Sequence, residues 1–155
     1  MSKVFLGLGT NLGNKEENIG NAIKYIEELI GKVVSQSALY ITEPWGFESD
    51  NTFINAVVAV ETSLAARDVL DATKKIERLM GRTYKSVNRQ YKDRIIDIDI
   101  LFYDDLVINE DDLIIPHPLM QERLFVMQPL SEIAPGFVHP VLKKSIKELL
   151  IVLQQ

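Results

Sequence analysis

Residues 94–103, with the sequence RIIDIDILFY, constrain the fold of this chain more than any other stretch. A dense aliphatic run bounded by turn residues predicts a buried β-strand. Side chains two positions apart in a strand point to the same face, so Asp97 and Asp99 are expected to lie side by side. The alternate residues are expected to fill the opposite, apolar face: Ile96, Ile98, Ile100 and Phe102.

Two carboxylates held side by side leave two interpretations open. They repel each other, and burial raises that cost unless a cation lies between them. A divalent metal ion with oxygen ligands would relieve the repulsion. Alternatively, this face of the strand is solvated and both aspartates are simply in water. The strand by itself does not decide between a metal site and a wet surface.

The bulk composition predicts a single globular domain over residues 1–155. A chain of 155 residues is large enough for a core, and its 46% hydrophobic and 25% charged residues are ordinary for a soluble protein. The absence of cysteine excludes disulfides, thiolate metal sites and a catalytic thiol. No apolar run has membrane-spanning length and no signal-peptide pattern opens the chain, so we expect a cytoplasmic protein without a membrane partner.

The charge distribution argues against nucleic acid as a partner but leaves room for a small anion. The net charge is −5, whereas broad nucleic-acid binding needs a basic surface. Even so, the basic residues cluster in one short span: Lys74, Lys75, Arg78, Arg82, Lys85, Arg89, Lys92 and Arg94. This cluster predicts a local anion site.

Hydrophobic periodicity predicts a defined order of strands and helices. Strands are expected at 3–8, 33–40, 53–61, 94–103 and 106–109, and helices at 14–30, 64–80, within 126–134 and from 145 onwards. This order predicts an α+β fold of the ferredoxin-like sandwich type. Its largely antiparallel sheet should have helices packed on one face, plus an added hairpin strand and C-terminal helices. The two aspartates should then lie on the face that the helices leave uncovered.

Three further positions are candidates for ligand contacts. Asn55 interrupts an apolar strand, so it either pairs with the backbone, the commoner case, or contacts a polar ligand edge. Trp45 lies in a loop, as a plug over the core or as a ligand contact. His117 lies between two prolines, which fix the backbone on both sides and favour a ligand role.

Taken together, these residue types favour phosphoryl chemistry. Carboxylates, a divalent metal ion and arginines suit transfer from a nucleoside triphosphate. Aromatic side chains at loop positions suit a flat ring substrate. The chain has neither a P-loop nor the protein-kinase motifs, which excludes those two classes.

At these positions the chain resembles the 6-hydroxymethyl-7,8-dihydropterin pyrophosphokinases of folate biosynthesis. The similarity extends over nearly the whole chain as ordered blocks at 40–46 (YITEPWG), 53–62, 76–82 (IERLMGR), 93–101 (DRIIDIDIL), 115–118 (IPHP) and 123–125. A single block is weak evidence of a family, whereas several in the right order and at nearly the right spacing are strong. The resemblance implies transfer of a pyrophosphoryl group from ATP to the pterin hydroxymethyl group, with release of AMP.

The resemblance also implies a set of site residues and two Mg²⁺ ions. Asp97 and Asp99 would hold both ions and, with Arg82 and Arg94, would form the catalytic set. The pterin would contact Thr42, Trp45, Phe53, Asn55 and Phe125. The nucleotide would lie near Leu70, Lys74, Glu77, Arg82, Arg94, Ile100, His117 and Arg123. The only partners expected are these small-molecule substrates, and a small domain without a long apolar edge is expected to be a monomer.

Other functions remain as alternatives. A non-catalytic, regulatory ferredoxin-like module that binds metal and nucleotide would keep the aspartates, but it would not need paired aromatic residues or Asn55. An RNA-binding sheet of the same topology would need exposed aromatics and a basic surface, which the net charge of −5 opposes. A purely structural domain would leave His117 and the basic cluster unexplained.

Overall fold

Five antiparallel strands form the central sheet of the protein, for which a computed structural model describes residues 1–42, 52–81 and 95–155. The strands are β1 (Ser2–Thr10), β2 (Gly31–Gln36), β3 (Tyr40–Thr42), β4 (Phe53–Thr62) and β5 (Asp97–Tyr103). They lie in the order β2–β4–β1–β5, and β3 also pairs with β4. The predicted α+β, ferredoxin-like arrangement is confirmed.

Helices cover both faces of this sheet. The helices are α1 (Lys15–Leu29), α2 (Ala66–Gly81), α3 (Leu124–Ile133) and α4 (Ile146–Leu153). The first two pack on one face, as predicted, against residues such as Val4 and Leu6 of β1. The C-terminal pair packs on the other face, against Phe5 of β1, so the face expected to be free of helices is partly covered. Among the described residues, no helix is both long and apolar enough to cross a lipid bilayer.

The helix starts follow the predicted capping signals. Asn14 caps α1 by accepting a 3.1 Å hydrogen bond from the Glu17 backbone N–H. Ser145 and Glu148 form both bonds of a capping box at α4. Gly31 directly follows the Ile30 cap of α1, where the helix was expected to end, and it also opens β2. A Cβ at Gly31 would lie 2.0 Å from the carbonyl oxygen of residue 61, so β2 and β4 approach too closely there for any side chain.

A β-bulge changes which way the end of β5 faces. Phe5 pairs with Phe102, and the next residue of β1, Leu6, pairs with Ile100, so Leu101 is an extra residue. The isoleucines before the bulge pack with α1 and α2 in the first core, as predicted. Leu101 and Phe102 both pack in the second core, which lies between the sheet and the C-terminal helices. The prediction that Phe102 shares a face with those isoleucines is therefore wrong, because the bulge shifts the alternation.

The strand predicted at 106–109 does not run back along β5. The chain forms a separate hairpin, in which β6 (Ile108–Glu110) pairs with β7 (Leu113–Ile115). Two interactions divert it. The turn at Asp104 is tied to β1, since its N–H donates to the Lys3 carbonyl and its carboxylate accepts from the Lys3 N–H. Arg67 on α2 forms ion pairs with Glu110 and Asp112.

His139 is a buried polar residue of the second core. It is 4% exposed, and its ring meets Phe102 edge-on with 5.3 Å between ring centroids. Its Nδ1 accepts hydrogen bonds from the N–H groups of Val141 and Leu142, each 3.1 Å long. Burial lowers the pKa of His139. Both turn hydrogen bonds require an unprotonated Nδ1.

The contribution of His139 to stability is expected to fall as the pH drops below about 6.5, the ordinary pKa of histidine in an unfolded chain. The unfolded state takes up a proton there and folded His139 does not, so acid favours unfolding. In His139→Asn, whose Oδ1 can accept both N–H groups, this part of the pH dependence should disappear. Urea unfolding of both proteins between about pH 5 and 7.5 measures it. Identical pH slopes would contradict this role for His139.

Candidate active site

A cleft of about 840 Å³ opens on the sheet face opposite α1 and α2. Its floor is the central strand β1, where Gly9 lies between Asn55 of β4 and Asp97 of β5. One pair further along, Gly7 lies opposite Asp99. Neither glycine carries a side chain, so no side chain of β1 fills the space between the Asn55 amide on one side and the two carboxylates on the other.

The two glycines of β1 are site features that the sequence prediction missed. The first strand was expected to end at Leu8, with a turn from Gly9 onwards, but β1 continues to Thr10. A Cβ at Gly9 would lie 3.0 Å from Oδ1 of Asn55, which is too close for an unshifted amide. The available signal was the spacing: glycines two apart in a strand lie on the same face.

Asn55 is held in place by the neighbouring strand. Its side chain is 7% exposed, and its Nδ2 donates a 3.1 Å hydrogen bond to Oγ1 of Thr42. Thr42 is on β3 and Asn55 is on β4, and these two strands pair with Thr42 opposite Phe53. The amide is therefore fixed by a side chain rather than by the backbone, and Asn55 and Thr42 both line the cleft.

Two aromatic rings from different elements line the same cleft. Phe53 is the first residue of β4, and Phe125 lies in the first turn of α3. Phe125 is 38% exposed, and the guanidinium carbon of Arg123 lies 5.8 Å from its ring centroid, within range of a cation–π contact. An exposed ring beside a cation, in a cleft that a second ring also lines, can hold a flat polar heterocycle by stacking.

The two aspartates form the opposite side of the cleft from Asn55. Asp97 is exposed, Asp99 is half-buried, and both line the cleft. Among the described residues, no group of three or more His, Cys, Asp or Glu side chains could hold a metal ion by itself. Two carboxylates completed by substrate phosphates and water are a usual ligand set for Mg²⁺. The donor chemistry therefore fits Mg²⁺ bound together with a polyphosphate.

Glu77 of α2 supports the acidic segment through the backbone. Its Oε2 accepts a 2.8 Å hydrogen bond from the N–H of Ile98, the residue between the two aspartates. Burial raises the pKa of Glu77 to about 7, and the charges of Asp97 and Asp99 add to this, although the bond from Ile98 and the charge of Lys74 act in the opposite direction. Three carboxyl groups, those of Glu77, Asp97 and Asp99, are therefore close enough at β5 to affect one another's charge.

His117 is attached to the same strand by its backbone. Its N–H donates to the Leu101 carbonyl at 3.1 Å, and its Nδ1 accepts from the Leu119 N–H at 3.3 Å. Burial lowers the pKa of His117, the charge of Arg123 lowers it further, and Asp97 acts in the opposite direction. With Nδ1 used as an acceptor, the neutral ring carries its proton on Nε2 and can donate it to an anion.

The structure sorts the predicted site residues into three groups. Those that line the cleft are Thr42, Phe53, Asn55, Asp97, Asp99, Arg123 and Phe125. The others that the structure describes lie on α2, on β5 or after β7: Leu70, Lys74, Glu77, Ile100 and His117. Ile100 faces the first core, and Leu70 packs against that core. Trp45, Arg82 and Arg94 lie outside the described residues.

Comparison with known proteins identifies the family. The family model described as 7,8-dihydro-6-hydroxymethylpterin-pyrophosphokinase (HPPK) matches residues 5–135. This chain belongs to the HPPK family. A relative from Porphyromonas gingivalis, named 2-amino-4-hydroxy-6-hydroxymethyldihydropteridine pyrophosphokinase, is 44% identical over 141 residues, covering 90% of this chain and 95% of the relative. An HPPK of the same name from Aquifex aeolicus is 39% identical over 148 residues, covering 96% and 90%.

Solved structures with the same fold include HPPK-DHPS of Plasmodium falciparum. One of these crystal structures superposes with a TM-score of 0.80 at 21% sequence identity. The match covers 97% of this chain but 44% of the Plasmodium chain, so this HPPK chain spans less than half of that protein. At this level of identity the likeness supports the fold.

Proposed function

We propose that the cleft over β1 is where this chain carries out the HPPK reaction. That reaction transfers a pyrophosphoryl group from ATP to the hydroxymethyl group of 6-hydroxymethyl-7,8-dihydropterin, a step of folate biosynthesis, and gives the pterin diphosphate and AMP. One observation carries the proposal. A fixed amide, two aromatic rings and a pair of carboxylates line one cleft, and the amide and the carboxylates lie on opposite sides of its glycine floor.

The pterin ring is assigned to the side of the cleft at β3, β4 and the start of α3. Phe53 and Phe125 are assigned to its two faces, and Trp45, between β3 and β4 in the sequence, is assigned to the same pocket. Because Nδ2 of Asn55 is bonded to Thr42, its Oδ1 is the atom that accepts from the ring N–H groups. The Thr42 hydroxyl, which accepts from Asn55, keeps its own hydrogen for donation.

The triphosphate is assigned to the side of the cleft at β5. Asp97 and Asp99 would hold two Mg²⁺ ions, which when bound neutralise the charge of the phosphate oxygens. Nε2–H of His117 and the guanidinium of Arg123 donate to the phosphates, and Arg82 and Arg94 supply further positive charge. The rest of the nucleotide is assigned to the outer edge of β5, near Leu70, Lys74, Glu77 and Ile100.

The chain's own contribution to the reaction is position and charge. With the ring stacked and its polar edge bonded to Asn55, the pterin hydroxyl is held against the β-phosphorus of ATP. A new bond forms from this oxygen to the β-phosphorus, and the hydroxyl proton is released to solvent. The bond between the β-phosphorus and the bridging α-phosphate oxygen breaks, so that AMP leaves. Holding both substrates in line makes the step nearly unimolecular. The arginines stabilise the oxygens that gain charge.

The remaining expectations form part of the same proposal. Residues 1–155 act as one domain, as a cytoplasmic monomer whose partners are its two small-molecule substrates. The net charge of −5 opposes a nucleic-acid partner. The paired aromatic rings favour the enzyme over a regulatory nucleotide-binding module, which has no use for a second, ring-shaped ligand.

The product of ATP turnover tests the proposed function directly. We expect that the protein, incubated with ATP, Mg²⁺ and 6-hydroxymethyl-7,8-dihydropterin, forms AMP and pterin diphosphate in equal amounts. Chromatography of the nucleotides measures this. Formation of ADP, or formation of AMP at the same rate without the pterin, would contradict pyrophosphoryl transfer to this acceptor.

A further inference from the structure

The carboxylate of Glu132, in the last turn of α3, joins this helix to the chain that leads into β3. Oε1 and Oε2 of Glu132 lie 3.1 and 3.2 Å from the backbone N of Ala38. Oε1 also accepts a 2.8 Å hydrogen bond from the Tyr40 hydroxyl. This hydrogen bond is the main reason why the pKa of Tyr40 is raised. The Glu132 side chain therefore binds two groups near the start of β3, the Ala38 N–H and the Tyr40 hydroxyl.

The segment that Glu132 binds is the short connection between β2, which ends at Gln36, and β3, which begins at Tyr40. Its buried Ser37 bonds to Val57 of β4 in both directions: its N–H donates to the Val57 carbonyl, and its Oγ accepts from the Val57 N–H at 2.9 Å. The following N–H, of Ala38, bonds to Glu132 instead of to the sheet. Glu132 therefore completes the backbone hydrogen bonding of residues 37 and 38, which lead into β3.

The orientation of β3 decides the position of the cleft amide. Tyr40 lies directly opposite Asn55 in the β3–β4 pair. Thr42, two residues further on and on the same face as Tyr40, accepts the hydrogen bond from Asn55 Nδ2. The contacts run without a gap from Glu132 through Tyr40 and β3 to Thr42 and Asn55.

The helix α3 connects Glu132 to the opposite wall of the cleft. Phe125 lies seven residues, or two helical turns, before Glu132, so both lie on one side of α3. Helix stability does not explain the glutamate, because a negative charge near a helix C-terminus is unfavourable and the last turn of α3 has no basic residue. Its two hydrogen bonds to the sheet edge do explain it.

We propose that Glu132 and Tyr40 are positioning residues, which hold Thr42 and Asn55 on one wall of the cleft in register with Phe125 on the other. The proposal rests on the proposed function in one respect, namely that these walls bind the pterin ring. Neither residue lines the cleft, so both act through β3. Their loss should therefore affect the ring substrate and spare ATP, whose assigned contacts lie at β5.

Steady-state kinetics of three variants test the proposal. In Tyr40→Phe and Glu132→Ala we expect KM for the pterin to rise by roughly tenfold, with KM for ATP unchanged and kcat changed less than the pterin KM. Glu132→Gln keeps one acceptor oxygen and should fall between Glu132→Ala and the unmodified protein. Because the Tyr40 hydroxyl acts through its hydrogen bond to Glu132, the double variant Tyr40→Phe, Glu132→Ala should be no worse than Glu132→Ala.

Two control variants and one spectroscopic measurement make the result decisive. Tyr25→Phe removes a hydroxyl from α1, and Glu16→Ala removes an exposed carboxylate; neither should change KM for the pterin. Independently of turnover, the side-chain amide resonances of Asn55 should shift in Tyr40→Phe and in Glu132→Ala but not in the controls.

The outcomes separate this proposal from the proposed function. Unchanged Asn55 resonances, or equal changes in both KM values, would overturn the positioning role even if the unmodified protein forms AMP. If the unmodified protein forms no AMP from this substrate pair, the proposed function fails. The Asn55 resonances would then still decide whether Glu132 controls the position of the cleft amide.

Discussion

Replacing Asp97 by alanine is expected to lower kcat on the order of 10³-fold, while the affinity for the pterin stays essentially unchanged. The reason is the division of the cleft. Asp97 lies on the β5 side of the glycine floor, and the amide and rings assigned to the pterin lie on the other side or at α3. Rapid-quench measurement of AMP gives kcat, and fluorescence titration with the pterin gives its affinity.

A matched control separates loss of the ligand from loss of charge. Asp68→Ala removes an exposed carboxylate from the first turn of α2 and should leave kcat unchanged. In Asp97→Asn the shape of the side chain is kept but its charge is lost, so kcat should fall nearly as far as in Asp97→Ala. An Asp97→Ala variant that turns over at the unmodified rate would exclude a metal-binding role for this residue.

Replacing Gly9 by alanine is expected to weaken pterin binding by about tenfold, the order of loss for one hydrogen bond that is no longer well made. The added methyl group would lie 3.0 Å from Oδ1 of Asn55, so the amide must move away from the position that Thr42 fixes. Calorimetric titration with the pterin measures the loss.

Two other glycines provide the controls for this experiment. At Gly7 the methyl group would meet the Leu101 side chain at 3.6 Å, an ordinary contact, so Gly7→Ala should weaken pterin binding far less. At Gly20 in α1 nothing lies within 4 Å of a new Cβ, so Gly20→Ala should leave binding unchanged and stabilise the helix by roughly 0.5–1 kcal/mol. Equal pterin affinities of Gly9→Ala and Gly7→Ala would contradict the importance of the Asn55 position.

Periodicity was sufficient to predict the fold because the longer strands and the helices carry a clear apolar pattern. Asn14 and Ser145 cap the helices where the sequence placed them. What periodicity could not predict are the departures from it. The bulge at Leu101 breaks a run that remains apolar on both faces, so no change of pattern marks it.

The chemistry of the site was predictable and its architecture was not. Asp97, Asp99 and Asn55 were identified because polar residues inside apolar strands are costly without a reason. Gly9 leaves space in the cleft because it has no side chain, and Glu132 acts from an exposed position. Neither is a polar residue inside an apolar strand, so the sequence pattern does not point to them. The roles of Trp45, Arg82 and Arg94 stay predictions, since these residues lie outside the described part of the chain.

The outer edge of β5 has a consequence for how copies of this protein behave towards each other. In the described part of the chain no strand pairs with β5 on that side, and an open strand edge invites pairing with another chain. Here Glu77 takes the Ile98 N–H, and the backbone of His117 takes the Leu101 carbonyl. The interactions that orient the acidic strand therefore also protect it from aggregation, and variants made at Glu77 to change catalysis should be checked for loss of solubility.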